Sequence, residues 1–486
     1  MIQTPTPLRV PETFFIGGQW VKPRTDRTIE VISPVTEERL MTYPEAGEPD
    51  IDDAVKAARA AFETGPWPRT SPAERAAVLR RTADELEKRT ETIARDWMFE
   101  IGAPIGIGSL LAQHNAQIFR HYADLLDEGR VNFVEERSRL DGGRSLVLRE
   151  PVGVCATITP WNAAMVLMSY KVAAGLAAGC TFVSKPSPET PLEGYVLAEC
   201  LEAAGLPEGV FNLVPAGAAI GEYLARHPGI DKVAFTGSTA AGKKVAAICA
   251  QRVARVSLEL GGKSASILLD DTDFNTAVQS IAFFSMPNAG QVCLARTRIL
   301  VPRSRADEFT ELFVKVVSQF TIGDPSDPQV FMGPVSKVAQ YERILDYIAI
   351  GIREGARLVL GGGRPAHLDK GFFIEPTVFA DVTPEMTIAR EEIFGPVVVI
   401  MPYEDEDDAV RIANDSKYGL SGSVFSADTD RALRVARRIR TGDLSINGNV
   451  LDPTMPIGGF KQSGIGREGG IEGLNNYLEV KTINFA

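Results

Sequence analysis

The stretch Val233–Ala246, VAFTGSTAAGKKVA, carries the first recognisable chemistry in the chain. From Gly237 it reads G-x-x-x-x-G-K, the opening of a loop whose backbone N–H groups cradle phosphates. The next position should hold a magnesium-binding Ser or Thr, and it is Lys244. A pyrophosphate without metal, as in a dinucleotide, therefore fits better than ATP, and a plain strand-to-helix turn is the competing reading. GIGREG, Gly464–Gly469, also satisfies G-x-G-x-x-G, but no β-α-β unit follows it, so it weighs little. Three further residues could do chemistry: Asn162 in TPWN, Glu259 in LELGG, and Cys293 among the small and polar residues of NAGQVCLARTR. Taken singly, each has a structural reading. These are a backbone-bonding amide, a strand-end ion pair and a small buried hydrophobe.

The elements that must position them are legible from 151 onward. Short β-rich runs (VGVCATIT, TFVSK, VFNLV, KVAFTG, VSLEL) alternate with helical stretches at 163–178, 191–204, 218–226 and 238–252. Five such strands predict a parallel, doubly wound, Rossmann-like sheet, with nucleotide sites at the carboxyl ends of its strands. A second alternation (SILL, TRILV, ARLVL, PVVVIMPY, GSVFS, DLSIN) predicts another α/β domain, with the boundary near LGGKS at 260–264. Upstream, SPAERAAVLRRTADELEKR carries a capping box, Ser71 with Glu74, and a proline at the first helical position. Alternation over 14–32 around Gly17-Gly18 predicts a small hairpin before the main body. Residues 131–150 read as a ribbon turning at Asp141-Gly142-Gly143, and YLEVKTINFA reads as a lone strand. A protruding ribbon and an unpaired strand suggest pairing between subunits. The expected division is a cofactor-binding domain of 1–127 and 151–260, a catalytic domain of 261–455, and an oligomerisation ribbon of 128–150 and 468–486.

Composition excludes some classes. With 486 residues, 44% hydrophobic, 23% charged and a net charge of −12 without single-sign runs, the chain reads as a soluble multidomain protein. It does not read as a nucleic-acid binder. The apolar segment 163–183 is interrupted by Ser169, Tyr170 and Lys171, which favours a buried helix and a core strand over a membrane span. The start lacks a basic and then apolar leader. Five cysteines form no C-x-x-C pair, and the four histidines show no ligand spacing. The expectation is a cytoplasmic protein without metal.

Taken together and in order, TPWN, KPSPETP, the glycine loop, LELGG, NAGQVCLARTR, REEIFGPV and GGFKQSGIGREGG resemble the aldehyde dehydrogenase superfamily over nearly the whole chain. The resemblance implies an α/β enzyme that oxidises an aldehyde through a thiohemiacetal and a thioester on Cys293. It assigns the oxyanion donors to the Asn162 amide and the Cys293 N–H, and the general base to Glu259, with Lys171 nearby. For the dinucleotide it points to Thr159, Pro160, Trp161, Lys185, Ser187, Glu189, Gly217, Gly221, Phe235, Thr236, Gly237, Ser238, Gly242, Leu260, Gly261, Glu392 and Phe394. Of these, Lys185 would meet the adenosine ribose, Ser238 the pyrophosphate, Glu392 the nicotinamide ribose and Phe394 the ring.

Two departures bear on specificity. Three residues after Lys185 the family often has an acid that favours NAD; here it is Pro188, with the acid displaced to Glu189. NAD is the expected cofactor and NADP the alternative. After PWN an aromatic residue and a proline are usual; here Ala163-Ala164 predict a wide tunnel. Its other expected liners are Val166, Tyr170, Met286, Pro287 and Leu451, which suit a medium or bulky apolar aldehyde, aliphatic or aromatic. The rival readings are a CoA-acylating dehydrogenase, which typically lacks the base that Glu259 provides, and a non-catalytic cofactor-binding protein of the same fold. A homodimer or homotetramer is the expected assembly.

Overall fold

A computed structural model describes residues 10–450 and 452–486. Its first sheet is built on the five runs read from the sequence. Across it lie Gly464–Ile465, Arg255–Glu259, Lys232–Thr236, Val154–Ile158, Thr181–Lys185, Phe211–Leu213, Phe14–Ile16 and Gln19–Val21. The five central strands are parallel, and every residue of Val154–Ile158, Thr181–Lys185 and Lys232–Thr236 is buried, as strands covered on both faces must be. The edges are antiparallel. Phe14–Ile16 and Gln19–Val21 turn through Gly17 and Gly18, both at positive φ, and extend this sheet rather than standing ahead of it. The strand Thr28–Ile32, expected in the same hairpin, pairs instead with Arg39–Pro44.

The second sheet runs Arg357–Leu360, Thr377–Ala380, Val397–Tyr403, Arg298–Pro302, Ala265–Leu268, Gly422–Phe425 and Ser445–Ile446. Thr377–Ala380 was not among the expected strands, because TVFA is too short to show alternation. The lone-strand reading of the C-terminus needs correction. Leu478–Asn484 pairs antiparallel along its full length with Arg144–Pro151 of the same chain, which also pairs with Val134–Ser138. A seven-residue strand can find a partner more than 300 positions away, and no local pattern announces this.

Helices cover both faces of the sheets. Pro72–Lys88 begins as read: Ser71 N donates to Glu74 Oε2 at 2.7 Å, and Glu74 N donates to Ser71 Oγ at 3.2 Å. Ala164–Ala178 is apolar apart from Ser169, Tyr170 and Lys171 and almost wholly buried, and it ends on Gly179 at φ 98°, the left-handed stop glycine favours. No helix among the described residues is long and apolar enough to cross a membrane. The core of the first sheet joins Phe182, Phe211, Phe119 and Leu176, all at most 1% exposed. Truncating Phe182→Ala should cost about 3–5 kcal/mol through lost burial and the cavity left behind. Denaturant unfolding checks this, and a loss below about 1 kcal/mol would show that the site collapses without penalty.

Candidate active site

Cys293 sits just past a tight bend. The helix Phe274–Ser285 ends at Met286, and the chain then passes through Asn288 (φ 52°), Ala289 (φ 52°) and Gly290 (φ 68°). Left-handed backbone costs a non-glycine residue roughly 1–2 kcal/mol, so the surroundings must hold this bend in place. They do so through side chains. Gln291 Nε2 donates to Asn288 O at 2.8 Å, and Ser336 N donates to Gln291 Oε1 at 2.9 Å. Asn288 Nδ2 donates to Asn162 O, and Asn162 Nδ2 donates to Gln291 O, both at 3.1 Å. Gly290 is packed so tightly that a Cβ would lie 2.1 Å from Gly395 O. The amide of Asn162 and the segment bearing Cys293 are thus locked to one another, although they come from different sheets.

Glu259 ends the strand Arg255–Glu259 and is half-buried between the two cavities. Burial, then repulsion from Glu468, raises its proton affinity well above the ordinary carboxylate range, while Lys171 and Arg467 pull the other way. Lys171, 1% exposed, is ion-paired with Glu468 and donates to Thr236 Oγ1 at 2.5 Å. Its placement inside the molecule excludes a snorkelling surface lysine. Glu468 belongs to GIGREG, the stretch discounted as a dinucleotide loop. That discounting stands, since the segment folds as a two-residue strand and an antiparallel bridge; its acid nevertheless reaches the site. Burial and then the charges of Glu392 and Glu259 push the Cys293 thiol up to about 12, opposed by backbone N–H groups at Leu294 and Cys293.

Two cavities meet at these residues. One, about 140 Å³, lies toward the helices Thr90–Ile101 and Ile105–Asp127. The other, about 210 Å³, opens over the first sheet. Asn162, Thr236, Glu259, Leu260 and Cys293 border both. Of the expected tunnel liners, Val166, Tyr170 and Pro287 face the first cavity, as does Ala163. Met286 does not: it is fully buried in the core beneath the helix Phe274–Ser285. Leu451 lies outside the described residues. Trp97, Ile107, Leu111 and His114 line the same cavity and were missed, because they come from helices far upstream of every motif.

The second cavity gathers Pro160, Trp161, Gly237, Ser238, Gly261, Glu392 and Phe394 from the expected cofactor residues. Ser238 caps the helix Thr239–Gln251, accepting from Ala241 N at 3.2 Å, so the positive end of that helix faces the groove. Lys244 is exposed along this helix. Gly242 and Phe235 sit behind the groove: a Cβ on Gly242 would meet Leu260, and one on Gly237 would meet the Phe235 ring. Thr159, Lys185, Ser187, Glu189, Gly217 and Gly221 do not border this cavity. Lys185 donates to Pro186 O and Ala216 O, lies against Gly221, and is brought down to about 8 by burial. Thr159 N donates to Lys185 O, and Gly217 N to Glu45 Oε1. Glu189 is already engaged, accepting from Ser187 Oγ and from Lys337 Nζ at 2.5 Å. Burial pushes its carboxyl up, but Lys337 and Ser187 outweigh burial and hold it below the usual range.

Lys337, Gln340 and Arg343 also border the groove and were missed. The last two anchor the segment carrying Glu392 and Phe394. Gln340 Nε2 donates to Ile393 O and Phe394 O at 2.9 Å, and Arg343 Nη2 donates to Glu392 O at 2.8 Å. Glu392 Oε1 in turn accepts from Gly262 N at 3.0 Å. Among the described residues no cluster of three or more His, Cys, Asp or Glu is placed to hold a metal ion.

With its thiol pushed up to about 12, Cys293 of the free protein should react slowly with iodoacetamide at pH 7. Its rate should climb about tenfold per pH unit up to pH 10, following the thiolate fraction. Glu392→Gln removes one of the charges that hold the proton on and should raise the rate at pH 8. A rate independent of pH between 7 and 9 would contradict this picture.

Residues 20–483 match the aldehyde dehydrogenase family. The chain is similar to geranial dehydrogenase of Castellaniella defragrans, 45% identical over 472 residues, with 96% of this chain and 98% of that one covered. It is equally similar, 45% over 483 residues, to 3-succinoylsemialdehyde-pyridine dehydrogenase of a Pseudomonas species, with 97% and 98% covered. Among solved structures, a Mycobacterium tuberculosis aldehyde dehydrogenase complexed with NAD+ superposes with a TM-score of 0.95 at 46% identity over 98% of each chain. An aldehyde dehydrogenase of Pseudomonas syringae, in complex with NAD+ and octanal, gives 0.94 at 41% identity over 99% of this chain and 98% of that one. By its sequence along nearly its full length and by its fold, this chain belongs to the aldehyde dehydrogenase family.

Proposed function

We propose that the chain oxidises an aldehyde to its carboxylic acid with a nicotinamide dinucleotide, through a covalent intermediate on Cys293. The observation that carries this is the meeting of two cavities at Cys293, Asn162 and Glu259. A substrate in one and a cofactor in the other would both reach the same sulfur. The groove suits a dinucleotide: a glycine turn and a capped helix N-terminus supply N–H donors, and no cation site is needed beside them. Ser238 would hold the pyrophosphate, Lys185 the adenosine ribose, Glu392 the nicotinamide ribose, and Phe394 would lie by the ring. When bound, the oxidised nicotinamide supplies the hydride acceptor.

The chain's own groups do the rest. Cys293 Sγ, once deprotonated, adds to the carbonyl carbon, and the oxygen becomes an alkoxide. Asn162 Nδ2 and the Cys293 N–H donate to it, and one such donor lowers the barrier by about 3–4 kcal/mol. Collapse of this adduct with loss of hydride leaves a thioester. Glu259 takes a proton from water, whose oxygen attacks the thioester carbon and releases the acid and the thiol. A raised proton affinity is what a base working near neutral pH needs, and Glu468 contributes to it. The apolar walls of the substrate cavity favour a medium or bulky apolar aldehyde. Similar proteins named for geranial, or solved with octanal, support that reading.

NAD is the expected cofactor, since neither Pro188 nor Glu189 offers a cation for a 2′-phosphate. Lys337 beside Glu189 makes NADP the alternative. We assign 1–127 with 151–260 to cofactor binding, 261–455 to catalysis, and 128–150 with 468–486 to assembly. The three-stranded sheet leaves Val134 and Val480 58% and 66% exposed, which suits a homodimer or homotetramer. Five cysteines that form no disulfide favour a cytoplasmic location.

Three arms test the reaction. The wild type should reduce NAD in the presence of octanal, and Cys293→Ala should not. Glu259→Gln should give one burst of NADH and then stall by at least about 100-fold. In the wild type, acid release should rise with pH as Glu259 loses its proton, and Gln at 259 should abolish that rise. Unchanged steady turnover in Glu259→Gln would remove it as the base. Sedimentation addresses assembly separately: Val480→Lys with Ile483→Lys should shift an oligomer toward monomer, and a monomeric wild type would end that proposal.

A further inference from the structure

Near Lys185 the charges form an arrangement that the reaction at Cys293 does not use. Pro188 has neither a charge nor a backbone N–H, and its carbonyl accepts from Tyr43 Oη at 2.7 Å. The acid nearby is Glu189, and both of its oxygens are engaged. Oε1 accepts from Lys337 Nζ at 2.5 Å, and Oε2 accepts from Ser187 Oγ. Burial disfavours the charge on Glu189, but Lys337 and Ser187 outweigh it, so the carboxyl stays ionised. The same carboxylate acts on Lys185, whose proton affinity burial lowers and whose charge Glu189 and then Glu45 support. One carboxylate therefore stands within electrostatic reach of two ammonium groups. Lys185 directs its donors to Pro186 O and Ala216 O. Lys337 keeps 39% of its side chain exposed, with its ammonium 5.5 Å from the centre of the Trp161 ring. It borders both the dinucleotide groove and a further cavity of about 230 Å³ that Pro188 and Glu189 line.

We infer that the Glu189–Lys337 ion pair, rather than the residue at 188, sets the preference between NAD and NADP. The inference rests on the dinucleotide reading above and deepens it. The two dinucleotides differ by one phosphate on the adenosine ribose, and such a group carries about −1.5 to −2 charges at pH 7. Beside Lys185 that phosphate would meet the charge of Glu189, while Lys337, a cation able to compensate it, is already neutralised by the same carboxylate. Glu30 and Glu100 line the 230 Å³ cavity as well and add to its negative side. Taking the charge from Glu189 has two effects of one sign, since the repulsion goes and Lys337 is released to pair with phosphate. An ammonium binds phosphate as a point charge, so no fixed fork of donors has to be built for it. Removing Lys337 instead leaves Glu189 uncompensated and acts in the opposite direction.

Titration calorimetry of the full chain with NAD+ and with NADP+ gives the ratio of the two dissociation constants without any turnover. The wild type should favour NAD. Glu189→Gln should move the ratio toward NADP by about tenfold or more, the scale of one hydrogen bond to a charged group. Lys337→Met should move it further toward NAD. Glu189→Asp, which keeps the charge, should stay near the wild-type ratio. The gain in Glu189→Gln should shrink when salt is raised from about 50 to about 500 mM, as pairing at a partly exposed site does. It should also disappear when Lys337→Met is added. Damage to the fold would weaken both dinucleotides together and leave the ratio in place, and thermal melts check this. A wild type that favours NADP, a smaller shift in Glu189→Gln, or a shift that survives without Lys337 overturns the inference. Should Glu189→Gln not fold, a ratio unmoved by Lys337→Met overturns it. If the wild type binds neither dinucleotide, the cofactor reading itself falls, and this inference with it.

Discussion

The reciprocal hydrogen bonds among Asn162, Asn288 and Gln291 are the constraint on which the rest of the site depends. Asn162 follows a strand of the first sheet, while Asn288 and Gln291 precede Cys293 at the margin of the second. Each of the three residues donates through its side-chain amide and accepts at its backbone carbonyl, so neither segment can move without breaking bonds to the other. Two non-glycine residues in left-handed backbone are retained by this exchange, and Gly290 passes where no side chain could against Gly395. Strain held by a surrounding network is how a fold keeps a nucleophile and its oxyanion donor in register through a reaction.

Around that framework the charges are arranged against their solvation preferences. Lys171 and Glu468 pair in the interior beside the half-buried Glu259, whose charge both Lys171 and Arg467 favour. An arrangement of this kind does little for stability, because desolvation offsets most of the Coulomb attraction. Its effect is chemical, since burial and the repulsion of Glu468 raise the proton affinity of the Glu259 carboxyl above the ordinary carboxylate range. The same burial keeps Cys293 protonated in the free protein.

Much of this was legible in the linear chain. The five parallel strands are continuous β-rich runs flanked by helices, and burial on both faces leaves that pattern in composition alone. The Ser71 capping box is local within four residues and folds as read. Cys293, Glu259 and Asn162 were singled out as candidates by the short motifs around them, not by their own types. Asn288 and Gln291 stood inside the quoted NAGQVCLARTR, so a signal was present; what hid them was that an amide's role is set by the partner it meets. Met286 shows the reverse error, as adjacency to a motif placed it on a wall from which it points away.

Other features had no sequence signal. The Lys171–Glu468 pair spans 297 positions, Leu478–Asn484 finds its partner strand across most of the chain, and Trp97 and His114 reach the cavity from helices that carry no motif. The sequence by itself determined the α/β class and the five parallel strands, and it singled out Cys293, Glu259 and Asn162 as candidate reacting side chains, since these rest on periodicity and short motifs. Only the tertiary structure decided which acid stands beside Glu259, which helices wall the substrate and how the two cavities meet. Those outcomes are contacts between segments far apart in the chain, and they exist only once the backbone has closed on itself.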